Sequence, residues 1–141
     1  MTDRIRQILE NDRTIAIVGM SDKPHRASHE VAHYLQKHGY RIVPVNPLLA
    51  GQQLLGEPVY ADLPAAAAAL QAAGEAPIDM VDVFRRSEDV PPVADQAIAI
   101  GAKTLWLQLA ISHPEAEQKA ADAGLQVVRD KCTKIEHALL D

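Results

Sequence analysis

Three times in this chain a helical pattern stops at a glycine and an apolar run follows almost at once. Gly39 precedes residues 40–45, Gly101 precedes 103–108 and Gly124 precedes 125–128. Glycine at such a joint takes the left-handed conformation that ends a helix. Strands separated by helices cannot close as hairpins, so the repeated joint forces right-handed parallel crossovers. Two more apolar runs, 15–18 (IAIV) and 78–84 (IDMVDVF), complete a set of five strands. A continuous run such as IAIV marks a strand covered on both faces. The expectation is an α/β domain with a doubly wound, five-stranded parallel sheet in the order 3-2-1-4-5, the first strand central.

The helices between these strands are legible from apolar spacing and caps. Residues 2–11 place Ile5, Ile8 and Leu9 on one side. Ser28 is expected to cap a helix with Val31, Tyr34 and Leu35 inward. Pro64 opens an alanine tract that runs to Ala73 and closes at Gly74. Asp89 is expected to cap a helix whose first turn tolerates Pro91 and Pro92 and whose inner face carries Val93, Ala97 and Ile100. Ser112 with Glu115, and Thr133 with Glu136, read as capping boxes. Pro44 suggests that the end of the second strand leaves its ladder. Residues 48–61 have no clear period, apart from a short extended piece at Val59-Tyr60.

No linker interrupts this pattern, so residues 1–141 read as one domain. Aromatic residues are only 4% of the chain, which predicts an aliphatic, alanine-rich core. A formal charge of −5 argues against general nucleic-acid binding, which wants a broad basic face. One cysteine, Cys132, excludes an internal disulfide framework. Neither a signal-peptide apolar region nor a membrane-length run is present, so a cytoplasmic location away from membranes is expected.

In a doubly wound sheet, ligands sit beyond the carboxyl ends of the strands, at the switch point beside strand one. Residues 14–28, TIAIVGMSDKPHRAS, lead a strand to Gly19, through a basic loop, and into a helix N-terminus, an arrangement that favours anions. Gly19, Met20 and Ser21 are a candidate phosphate cradle, although every α/β protein has a βα turn here. Lys23, Pro24 and Arg26 follow; the two cations either complement phosphate or are solvated like other surface residues. His25 reads as a bystander. Val45-Asn46-Pro47 ends strand two with an amide where an NAD site would carry an acid. Phe84 and Arg85 end strand three, as a purine platform or as a core aromatic beside a surface cation. Gln108, at the tip of strand four, can reach the cleft with its amide, while Trp106 reads as core.

Catalytic signals are sparse. The chain has no GxGxxG, no GxxxxGK[ST], no GxSxG and no HExxH. His29 and His33 lie four apart without a third ligand, so no metal site is assigned. Cys132 is either a reactive thiol or a small structural residue.

Taken together, IAIVG-x-S-x-K-P-x-R-x-S, GYRIVPVNP, IDMVDVFR, AKTLWLQ and GLQVVRDKC resemble the small stand-alone CoA-binding proteins. Those are similar in turn to the CoA-binding N-terminal domain of succinyl-CoA synthetase α subunits and of ADP-forming acyl-CoA synthetases. The resemblance runs from about Arg13 to the C-terminus. It implies a Rossmann-like fold holding coenzyme A, or an acyl-CoA, by its ADP portion. Phosphates would lie on residues 19–26, the nucleotide along Val45-Asn46-Pro47, and adenine near Phe84 and Arg85. This chain has Met20 where the family has a small residue, and Ala110 where it tends to have glycine. The larger synthetases use a nucleotide-grasp domain and a phosphohistidine that 141 residues do not accommodate. The expected role is therefore a binding, carrier or sensor protein without catalysis. The competing readings are an NAD(P)-binding redox enzyme or sensor, and a subunit that contacts a partner enzyme through residues 48–61. Self-association as a homodimer stays open.

Overall fold

The computed structural model describes residues 3–140. In chain order the elements are α1 (Asp3–Asn11), β1 (Thr14–Val18), α2 (Ala27–Lys37), β2 (Arg41–Val45), β3 (Gln53–Leu54), β4 (Glu57–Pro58), α3 (Leu63–Ala72), β5 (Met80–Val83), α4 (Val90–Ala99), β6 (Thr104–Leu107), α5 (Pro114–Asp122), β7 (Gln126–Val128) and α6 (Thr133–Ala138). Thr2, expected to begin the first helix, lies outside the described residues.

Five strands form one parallel sheet in the order β2-β1-β5-β6-β7. Numbered among themselves, that order is 2-1-3-4-5, not 3-2-1-4-5, and the central strand is β5 rather than β1. Pro44 explains the difference. It stays in the ladder, in register with Ile17. Its carbonyl accepts from Tyr60 N at 3.0 Å on the outer side. In a parallel strand a residue's N and carbonyl point the same way, so the missing N–H faces outward. A proline-bearing strand of this kind belongs at an edge. The third strand therefore inserts on the other side of β1, where Met80–Val83 is wholly buried.

The sheet divides two apolar layers. On one side Val43, Val81, Val83 and Leu105 meet α3, α4 and α5 through Leu63, Leu70, Val90, Ala94, Ala97 and Ala120. On the other, Ile15, Ile17, Met80 and Trp106 meet α1, α2 and α6. Alanines on α3–α5 let those helices approach closely, and Trp106, fully buried, fills the opposite layer. In α4 the inward residues are Val90, Ala94 and Ala97; Val93 and Ile100 are only partly covered.

Several expected caps fall elsewhere. Asp89 spends its carboxylate on Arg86 (3.3 Å) and makes no cap. His113, not Ser112, caps α5, its Nδ1 accepting from Ala116 N, while Glu117 reaches back to His113 N at 2.8 Å. Thr133 is buried inside α6 and bonds a side chain of the sheet instead. Residues 48–61 hold a 3-10 turn, the β3–β4 hairpin and a bridge from Tyr60 to Val45. Among the described residues no helix is long and apolar enough to cross a membrane.

Candidate functional site

At the carboxyl ends of the strands a cleft of about 860 Å³ opens beside the β1/β5 switch point. Gly19, Ser21, Lys23, Arg26, Asn46, Phe84, Arg85 and Gln108 line it, and these are eight of the twelve residues named from the sequence. Met20, Pro24, Val45 and Pro47 do not. Met20 is completely buried in the layer beneath the loop, so it does not plug the cradle. Val45 packs into the opposite core layer.

Gly19 is required by backbone crowding. Its φ is +86°, and a Cβ there would lie 2.4 Å from the carbonyl oxygen of Phe84. Its N–H donates to Val45 O (2.8 Å), and Phe84 N donates to Val18 O (2.9 Å), so three strand ends are stitched together at this point. The loop beyond is held by its own polar groups. Ser21 N donates to Ser28 Oγ (2.9 Å), and Lys23 N donates to Ser21 Oγ (3.0 Å). The Ser21 carbonyl meets His29 Nδ1 at 3.0 Å. Ser28 is therefore not the cap of α2 but its second residue, and its hydroxyl holds the loop. Arg26 occupies the cap position and makes no side-chain cap. Of the first N–H groups of α2, those of His29 and Glu30 donate to Arg26 O (3.1 and 3.0 Å), while Ala27 and Ser28 line the cleft, where the helix dipole favours an anion.

Asn46 ties the β2 end to the loop: Nδ2 donates to Met20 O at 3.0 Å, and Oδ1 accepts from Leu48 N at 2.9 Å. Both polar ends of the amide are used by the protein. Lys23 and Arg26 are exposed and Arg85 is half-buried. Among the described residues no carboxylate pairs with any of the three, whereas neighbouring Arg86 is held by Glu88 and Asp89.

Asp82, on the central strand, is the residue that sequence reasoning missed. It is completely buried, and its Oδ2 accepts from Thr133 Oγ1 at 2.8 Å. Its Oδ1 accepts from Gln108 Nε2 at 2.5 Å, and the same nitrogen approaches Thr133 Oγ1 at 3.1 Å. Burial pushes the Asp82 carboxyl up to about 7, against the opposing pull of those two hydrogen bonds. The available signal was one acid within an otherwise apolar strand run. Such a residue is kept only when paired or hydrogen-bonded.

Cys132 joins Gln108, Leu109 and Ile111 at the far end of the cleft. Ala110, beside them, has φ +67°, a left-handed conformation that glycine adopts without cost. Its N–H donates to Asp130 Oδ1 at 2.6 Å, which secures the turn.

The family model described as CoA binding domain matches residues 13–138. The chain belongs to that family. A Bacillus subtilis protein, the uncharacterized protein YneT, is 38% identical over 135 residues, covering 96% of this chain and 93% of its own. The Thermus thermophilus structure titled cell-free ID.343 superposes with a TM-score of 0.85 at 36% identity, covering 98% of each chain. Apo acetyl-coenzyme A synthetase 1 of Ca. Korarchaeum cryptofilum has the same fold over 86% of this chain and 26% of its own, with a TM-score of 0.67 at 20% identity. Within the CoA-binding domain family, then, the fold is the Rossmann-like α/β fold expected from the five sequence blocks.

Proposed function

We propose that this protein binds coenzyme A, or an acyl-CoA, through the ADP-phosphate portion at the carboxyl edge of the sheet, and performs no chemistry there itself. The carrying observation is the meeting of three features at one point. The α2 N-terminus without a side-chain cap, two cations (Lys23 and Arg26) that pair with no carboxylate among the described residues, and the Gly19 turn all line the same cleft. The pyrophosphate would lie on the Ser21–Ser28 loop, with Lys23 and Arg26 supplying charge beyond what backbone amides offer. Arg85 extends that charge toward β5. Family membership supports the choice of CoA among the phosphate ligands that such a cleft suits. In this reading the protein serves as a carrier or sensor of the ligand.

An NAD(P) site is less well served. An acid at the end of β2 would hold the ribose, and here Asn46 has already given its amide to Met20 and Leu48. Calorimetry with CoA, dephospho-CoA, NAD and ATP separates the two readings. CoA is expected to bind tightest, and CoA binding no better than NAD overturns the proposal.

A further inference from the structure

We propose that Asp82 is a positioning residue that fixes the amide of Gln108 with its NH2 turned inward, so that the carbonyl oxygen faces the cleft and receives a hydrogen-bond donor of the ligand. The geometry is a closed triangle. Gln108 Nε2 lies 2.5 Å from Asp82 Oδ1 and 3.1 Å from Thr133 Oγ1, so both its N–H groups have acceptors on the protein. Thr133 gives its own proton to the second oxygen of Asp82 at 2.8 Å, which leaves its lone pairs for the Gln108 amide. With Asp82 ionised, above about pH 7, turning the amide over would set Gln108 Oε1 against a carboxylate oxygen, acceptor against acceptor.

Gln108 is only 6% exposed and still lines the cleft. Among the described residues the one enclosed side-chain polar atom without a partner is Arg41 Nε. Gln108 Oε1 is therefore not sealed in, and the side of the amide that meets the cleft is its acceptor.

Which part of the ligand it meets follows from position, given the reading of the cleft as a CoA site on which this inference rests. Gln108 follows β6, two strands across from β1 and so roughly 10 Å from the Gly19 turn. Around it stand Leu109, Ile111 and Cys132, with the Asp82 carboxyl bonded to Gln108 and the Asp130 carboxylate bonded to the neighbouring Ala110 N–H, none of which attracts a phosphate. Phosphates belong at the Lys23–Arg26 end, and a neutral donor belongs here. Coenzyme A carries such donors in the amide N–H groups of its pantetheine arm.

The test compares CoA with 3′-phospho-ADP, the same nucleotide without that arm, by calorimetry on the full chain. Gln108→Met keeps the volume and removes the acceptor. It is expected to weaken CoA by about fivefold, the worth of one neutral hydrogen bond, and to leave 3′-phospho-ADP unchanged. Asp82→Leu releases the amide and is expected to produce the same selective loss. Because it also leaves the buried Gln108 and Thr133 donors without their acceptor, its melting temperature is expected to fall. Asp82→Asn rescues, since its carbonyl accepts from Gln108 while its NH2 serves Thr133. CoA affinity is expected to return to within about twofold of the unaltered protein. Asp82→Leu with unchanged CoA affinity, or with equal loss for both ligands, overturns the inference. So does Gln108→Met without effect. Should Asp82→Leu fail to fold, NMR of the unaltered protein decides. Two slowly exchanging Gln108 side-chain N–H protons are expected, and rapid exchange overturns the inference. Failure of the unaltered protein to bind CoA at all would instead remove the CoA reading, and this inference with it.

Discussion

The two ends of the sheet are built on opposite principles. At the amino-terminal end, the carboxylates are used up by groups of the protein itself, although Arg41 Nε is enclosed there without a partner. Asp12 accepts from Thr104 Oγ1 at 2.7 Å, and Asp79 accepts from the backbone N–H of Arg13 and Thr14 while pairing with Lys103. Arg41, at the same end, is shared between Glu57 and Glu75. At the carboxyl end, Lys23, Arg26 and Arg85 have no carboxylate partner among the described residues, the first turn of α2 is uncapped by a side chain, and Ala110 and Asp130 sit in left-handed backbone. One end closes the fold. The other leaves charge, hydrogen-bonding capacity and strain available for something that arrives later. Asp82 and Gln108 lie on the boundary, as a satisfied network directly under an unsatisfied surface.

That contrast can be broken at several points. The largest effect is expected for Gly19→Ala, where a Cβ meets the Phe84 carbonyl and the left-handed φ is lost to an L side chain. Destabilisation of about 3 kcal/mol or more is expected in urea unfolding, together with loss of CoA binding. A protein of unchanged midpoint would show that the three strand ends are not stitched as described.

Next comes the charge state of Asp82. Its carboxyl is raised in the fold to about 7, so between about pH 4 and pH 7 unfolding releases a proton from it. Stability from this residue is therefore greatest in acid, falls as pH rises through that window, and stays low above it. Asp82→Asn should be more stable than the unaltered protein at pH 8, by on the order of a few kcal/mol, and the gap should close near pH 4. Parallel pH–stability curves for the two would remove the case for a neutralised buried acid.

The sharpest comparison pairs one change at each end. Asp79→Ala should cost about 1–3 kcal/mol of stability by orphaning two backbone N–H groups, with CoA affinity intact. Lys23→Ala and Arg26→Ala should do the reverse: CoA binding weaker by about 1–3 kcal/mol each and midpoints within about 0.5 kcal/mol. If the cations matter to stability and Asp79 to binding, the division between the ends is wrong. The smallest effect is expected for Ala110→Gly, which relieves the left-handed strain and should stabilise by about 0.5–1 kcal/mol in the same unfolding experiment.

What could be read before folding, and what could not, divides along the range of the forces involved. Strands, helices and the Gly19 loop are local matters of periodicity, glycine and proline, so the chain itself determined them, and with them the edge of the sheet that carries the site. The place of β5 was written in Pro44 as well, since a missing outward N–H leaves room for the single Tyr60 bridge but not for a full strand ladder, and only strand pairing reveals which way that N–H would point. Ser28 and Thr133 look like caps because a hydroxyl before a helix ordinarily bonds the nearest N–H. Tertiary packing gave both a different partner, Ser21 and Asp82, at 2.9 and 2.8 Å. The Asp82–Gln108–Thr133 triangle joins residues 25 to 51 positions apart, on a strand, just past the end of another strand and on a helix. No spacing in the sequence encodes it, because burial and hydrogen-bond geometry exist only once the sheet has brought those segments together.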